Sequence, residues 1–172
     1  MAMQLTAGYK TILKAMLLTS AVLVGGCAGY GPTNDFIGLT RGETLARLGP
    51  PNPVPANIDS APRLDFPRGP AGKHTYAVYF NEQGVVSGYR QLLTDENFAK
   101  ITAGMDESDV VDLIGVSQNT FGLARGRGYV WSYRYVTPHC HWFQVEFTAE
   151  KKVRSAGYGL PPECRAGRRG AG

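Results

Sequence analysis

The 172-residue chain predicts an α+β fold of two tandem units, each made of short helices packed on a three-stranded antiparallel sheet. Three observations predict it. Two helix-like segments repeat along the chain, because Gly38 to Gly49 lies over Gly104 to Gly115 at a constant offset of 66. Each is followed by two strand-like runs joined by a turn. Each of those pairs has one more strand candidate in front of it.

Residues 1–26 stand apart from both units. Lys10 and Lys14 precede an uncharged apolar run, Ala15 to Val24, which ends Gly25-Gly26-Cys27. A basic lead, a short apolar stretch and a small-residue site describe a secretory signal. The run is too short to span a bilayer as a helix, which takes about 20 apolar residues. Val24-Gly25-Gly26-Cys27 resembles the lipobox of bacterial lipoproteins, which implies cleavage before Cys27 and lipid on its sulfur and new amino terminus. The other reading is an ordinary signal with Cys27 incidental. The small residues and the cysteine fall together at the end of the apolar run, which favours the lipid anchor. Residues 27–35 then form a tether.

The first unit covers 36–91. Thr40 suits a helix N-cap, and Glu43 completes a capping box three residues later. Gly49 stops the helix and Pro50-Pro51 forbids its continuation. The Pro-rich stretch from Pro50 to Pro70 reads as an irregular loop carrying one edge strand, Arg63 to Pro67. His74 to Phe80, a turn at Asn81 to Gly84, and Val85 to Gln91 form a hairpin. The stretch from Cys27 to Gly38 is too short for a leading helix as well as a tether, so that helix is missing here.

The second unit covers 92–164 and has its leading helix, Leu93 to Ile101, capped by Thr94. Asp106 caps the repeated helix, Met105 can staple to Val110, and Gly115 ends it. Tyr129 to Val136 is the first strand. Trp142 to Phe147 and Lys152 to Tyr158 form the hairpin, with Phe147 matching Phe80 at an offset of 67. Tyr129, Trp131, Tyr133 and Tyr135 alternate onto one face, as do Phe143, Val145 and Phe147, so their rings can cover a helix. Residues 165–172 are Gly- and Arg-rich with nothing to pack, and read as a disordered basic tail. That tail has two readings, contact with anionic phospholipid at about 1 kcal/mol per basic residue, or no role.

The signal holds two of the 18 basic residues and none of the 14 acidic ones, leaving a formal charge of +2. That is too little to argue for nucleic acid. With Cys27 lipidated, Cys140 and Cys164 remain as a pair in an oxidising compartment, and only one intrachain pairing exists. Closing that loop stabilises the fold by about 3 kcal/mol.

Lys100-Ile101-Thr102-Ala103-Gly104-Met105, followed by a polar cap and then Val110 to Gly115, resembles the helical half of the SmpA/OmlA domain. That is the BamE-like domain of an outer-membrane β-barrel assembly lipoprotein. The likeness covers 92–158 well and 36–91 in part. It implies a two-helix, three-strand unit, here in tandem copies, that works by protein contact. Two departures stand out: the family subunit has one domain, and its polar Gln-Gly-Asn segment after the anchor is absent. A tandem arrangement of such units also resembles β-lactamase inhibitor protein in architecture, without shared motifs.

Three places invite a chemical reading. His139 and His141 share one side of an extended segment, but two imidazoles are short of the three or four ligands zinc takes, so no metal is expected. Cys140 as a nucleophile lacks a base on its own side, because His139 and His141 point the other way, although His74 stays open. A structural disulfide is the stronger reading. The Arg125-Gly126-Arg127-Gly128 loop beside an aromatic strand has the composition of a nucleic-acid contact, yet the charge favours a polar loop entering a core strand. No phosphate-binding Gly-rich loop, nucleophile elbow or carboxylate pair is present.

The expectation is therefore a non-enzymatic, cofactor-free interaction module. It is anchored through Cys27 to the periplasmic face of the outer membrane, since Ala28 rather than the inner-membrane signal Asp of enteric bacteria follows the cysteine. Its expected partners are envelope or barrel-assembly proteins, met through Arg125, Arg127, Tyr129 and Trp131. The alternative is a tethered inhibitor of a secreted or periplasmic enzyme, with the loop 50–70 entering its cleft.

Overall fold

A computed structural model describes residues 31–166; the signal segment, Cys27 and residues 167–172 lie outside the described residues. Chain order is helix α1 (Arg41–Leu48), strands β1 (Arg63–Arg68), β2 (His74–Phe80) and β3 (Val86–Gln91), then helices α2 (Asp95–Phe98) and α3 (Glu107–Ile114). Strands β4 (Asn119–Gly122), β5 (Tyr129–Tyr133), β6 (Trp142–Phe147) and β7 (Val153–Gly159) follow, and helix α4 (Pro162–Ala166) is last. The strands form two antiparallel sheets, β1-β2-β3 and β4-β5-β6-β7.

The fold class is as the sequence predicts, with four differences of detail in the second half. Its sheet has a fourth strand, β4, paired to β5 from Asn119↔Ser132 to Gly122↔Tyr129. Asn-Thr-Phe-Gly lacks an alternating pattern because it is a mostly exposed edge strand, so nothing in it marks a strand in sequence. The leading helix α2 is a single turn, capped by Thr94, and passes into tighter bonds from Lys100 to Asn97 and Ile101 to Phe98. A short strand β5 replaces the expected run to Val136, and α4 takes in Arg165 and Ala166 of the expected tail.

The same backbone bonds recur in both halves. Gly38 N–H donates to Val86 O at 2.9 Å and Gly104 N–H to Val153 O at 2.8 Å. Val86 N–H donates to Leu39 O and Val153 N–H to Met105 O, each at 2.8 Å. Each helix thus starts as a one-residue bridge to the last strand, Thr40 to Val85 and Asp106 to Lys152. Each ends at a glycine with φ near +75°, Gly49 at 76° and Gly115 at 74°, a conformation that costs residues with a Cβ. Both central strands carry a register shift at the equivalent place, Tyr79/Phe80 and Glu146/Phe147. These pairs are spaced by 66 or 67 residues.

Two cores result. Phe36, Leu48, Leu64, Phe66, Val78, Phe80 and Val86 fill the first. Phe98, Ile101, Val110 and Ile114 pack on Trp131, Tyr133, Tyr135, Phe143, Val145 and Phe147 in the second.

The two halves pack on one another. Strand β1 turns Leu64 and Phe66 into its core and Arg63 and Asp65 to the opposite face, where α3 ends. A Cβ on Gly115 sits 3.3 Å from Asp65 Oδ2 and 3.4 Å from both Leu92 and Thr75, so this glycine nests against the first sheet. Ala77 on that face is fully buried.

Candidate interaction surface

Three regions carry polar chemistry: the seam between the sheets, the Arg125 loop at one end of the second sheet, and a disulfide-tied corner at the other. At the seam, Arg63 grips Asp65 through Nε at 2.7 Å and Nη2 at 2.8 Å. The same guanidinium donates to Asp112 O at 2.9 Å and Val111 O at 3.1 Å, and Arg90 adds a bond to Asp112 O at 3.0 Å. Asp112 O is a carbonyl that the end of α3 leaves without an intrahelical partner, Val111 O already accepts from Gly115 N–H at 2.8 Å, and both lie at the negative end of the helix dipole. Burial pushes the Asp65 carboxyl above the usual carboxylate range, with Arg63 and Arg90 opposing it. Sequence reasoning missed this seam. Its only trace is an Arg-x-Asp alternation against Leu-x-Phe, which in a lone sheet reads as a solvated face.

The loop before β5 is a short turn, Ala124–Gly126, with Arg125 at φ 61°. Arg125 and Arg127 are both exposed. Arg127 donates from Nε to Ala124 O at 3.3 Å, and its carbonyl accepts from Arg154 Nη2 at 2.9 Å. Tyr129 is half-buried; its ring stacks on Phe147 and its hydroxyl donates to Glu107. Trp131, expected to offer surface, is 6% exposed and packs edge-on to Phe147, so it is a core residue. Tyr133 and Tyr135 lie in the same core, Tyr133 donating to Gly115 O at 2.9 Å. The structure therefore leaves Arg125 and Arg127 exposed, Tyr129 half-buried and Trp131 inside.

At the opposite end, Cys140 and Cys164 are joined with Cα atoms 6.3 Å apart, within disulfide reach. The bridge ties α4 to the start of β6. Reduction is expected to lower the unfolding free energy by about 3 kcal/mol, from the chain entropy of the released loop. Urea titration with and without reductant checks this; an unchanged midpoint would contradict it.

Arg134 pairs with Glu163 in the same corner, and its bonds hold the Glu163 carboxyl below its ordinary value. A carboxyl lowered on folding stabilises the fold above its unfolded pKa and loses that contribution as pH falls through the folded one. A carboxyl-detected NMR titration is expected to place Glu163 below the ~4.3 of a free glutamate. A midpoint at or above that value would mean the pair does not form.

His141 meets the Tyr135 hydroxyl, and its ring lies 5.6 Å from that of His139. With Cys140 tied up as a disulfide, no third ligand joins the two imidazoles. Among the described residues, no group of three or more His, Cys, Asp or Glu stands close enough to hold a metal ion. Tyr158 donates to Asp95 at 2.8 Å, and its hydroxyl is pushed up to about 12, by burial first and Asp95 second. A depression of about 100 Å³ in this corner is lined by Lys73, Arg134, His139, His141 and Glu163.

Cys27 lies outside the described residues, as do Arg168 and Arg169.

No family model matches the chain, and no curated protein does. Among solved structures, the chain is similar to an osmotically inducible lipoprotein, OsmE, at 22% identity and a TM-score of 0.35, over 45% of this chain and 92% of that one. It is also similar to a DUF4309 family protein, YjgB, from Bacillus subtilis subsp. subtilis strain 168. That likeness has 10% identity and a TM-score of 0.27, over 78% of this chain and 84% of that one.

Proposed function

We propose that this chain is a lipid-anchored, non-enzymatic protein-interaction module of the bacterial envelope. It is held through Cys27 on the periplasmic face of the outer membrane and supports envelope or barrel-protein assembly. The observation that carries the reading is Val24-Gly25-Gly26-Cys27 closing an apolar run that follows Lys10 and Lys14. Support also comes from the repeated helix-to-strand bridges, which fit two copies of a BamE-like unit, and from two exposed arginines in the loop at the end of the second sheet.

Replacing Cys27 by Ser tests the anchor. The native protein is expected in the membrane fraction and the variant in the soluble periplasmic fraction; continued membrane association of the variant would overturn the lipobox reading. In-cell crosslinking of the lipidated protein tests the role. Recovery of barrel-assembly subunits supports it. Recovery of one soluble periplasmic enzyme instead supports a tethered inhibitor. One observation favours that second reading: Val54, between Pro53 and Pro55, stands 64% exposed on the loop ahead of β1.

A further inference from the structure

A lipid on Cys27 would hold one end of the molecule near the bilayer. Gly31 lies directly on the Tyr76 ring, so close that a Cβ there falls 2.2 Å from the ring. Pro32 is buried and Phe36 enters the first core, so the chain is seated from Gly31 onward. Only four peptide units separate Gly31 from Cys27, a reach of at most about 14 Å even when fully extended. Gly31, and with it the Tyr76 ring it touches, is therefore held close to Cys27.

Tyr76 sits near the start of β2, beside the tip of the β1–β2 hairpin. His74 stacks on it with ring centroids 6.0 Å apart, and Arg68 pairs with His74 across the hairpin. Exposed Lys73 adjoins them and shares a depression with Arg134, His139 and the disulfide corner. From that corner α4 leads on toward Arg168 and Arg169 in the sequence. The acidic groups nearby, Glu163 and Asp95, are each already engaged, with Arg134 and with Tyr158. The Arg125 loop and the Thr148–Lys151 turn lie past the far end of β6, about 20 Å along the strand.

We infer that the edge formed by Tyr76, His74, Lys73 and the Cys140–Cys164 corner is apposed to anionic phospholipid headgroups of the membrane that carries the anchor. The Arg125 loop then faces away from it. This rests on the lipid-anchor reading. The tether supplies proximity, and within a Debye length of the surface the basic groups add attraction. The distal end is left free for a protein partner.

Amine footprinting with a water-soluble acylating reagent tests this, using lipidated protein in vesicles of phosphatidylglycerol and phosphatidylcholine. Each lysine is compared with its own rate in the vesicle-free Cys27→Ser protein. Lys73 is expected to be slowed about threefold or more, as for an amine held within a Debye length of the headgroups, while Lys151 and Lys152 are unchanged. A Gly/Ser insertion of about 12 residues after Ala28 should lift the protection of Lys73 while the protein still floats with the vesicles. Equal rates at Lys73 and Lys151, protection at Lys151 instead, or protection that survives the insertion would each overturn the orientation. A native protein that fails to float overturns the anchor itself, a separate result read from the flotation alone.

Discussion

Arg63→Ala is expected to lower the unfolding free energy by about 3 kcal/mol near neutral pH, the range for breaking one side of a buried ion pair. Two losses combine. Asp65, 8% exposed, keeps its charge with its bidentate partner gone. The last carbonyls of α3 also lose two of the three bonds that join them to the first sheet. The pH dependence separates these terms. The Asp65 carboxyl is raised on folding, so its contribution is most favourable below the unfolded carboxylate pKa and is lost as pH rises through the folded value. Without Arg63 that rise grows, so the defect should shrink on going from pH 7 toward pH 4, where the buried carboxyl takes up a proton. Asp65→Asn added to Arg63→Ala should recover part of the loss at pH 7. Urea titrations at both pH values measure this. A defect of equal size at both would leave the helix-end bonds as the whole effect.

The seam explains why one part of this fold was legible in sequence and another was not. Helix ends are local: Thr40 with Glu43, Asp106 with Asp109, and the closing glycines are set by neighbours a few residues away. The hairpins are nearly as local, since Asn81 accepts from Gln83 and Val85 and shapes its turn alone. Even the burial of Tyr133 and Tyr135 follows from alternation. Arg63, Asp65 and Arg90 have no such signature. Their partner is a helix end nearly fifty residues away for Arg63, whose bonds span separations of 48 and 49, and charged side chains on alternate strand positions look solvated until that helix is placed.

Trp142 shows the same limit from the other side. Phe143, Val145 and Phe147 face the core, so alternation puts Trp142 on the outer face. It is nevertheless 5% exposed, because the Arg134 guanidinium lies 5.4 Å over its ring and Gly159 opposite has no side chain. A Cβ at Gly159 falls 2.3 Å from Gln144 Oε1 and 3.2 Å from Trp142 Nε1. The outer face is closed by a cation over a ring and a missing side chain, neither of which periodicity encodes. For the site the situation reverses. Cys27 is readable only as sequence, while geometry sorts the surface residues, keeping Arg125 and Arg127 outside and moving Trp131 into the core.

Gly128→Ala is expected to be the most damaging Gly→Ala change among the described residues. Its φ of 129° is already costly for any residue with a Cβ, and the added carbon falls 1.9 Å from Phe147 O and 2.9 Å from Phe147 C. Both are backbone atoms of β6 at the Tyr129↔Phe147 pair, so relief requires opening the β5–β6 ladder at its end. A loss on the order of 3 kcal/mol or more follows, with Tyr129 and the Arg125 loop displaced. Gly126→Ala, at φ 64° with open space around it, should cost only about 1 kcal/mol. Thermal unfolding of the two variants compares them, and similar midpoints would mean that the loop, rather than the ladder, absorbs the clash. Arg125→Gly completes the comparison. Arg125 holds a left-handed φ of 61°, so glycine relieves that strain and should leave stability unchanged or raised by up to about 1 kcal/mol. The only thing removed is the exposed guanidinium. If the distal loop is the protein-binding end, Arg125→Gly should reduce partner capture in crosslinked cells with the fold intact, whereas Gly128→Ala should reduce capture and stability together.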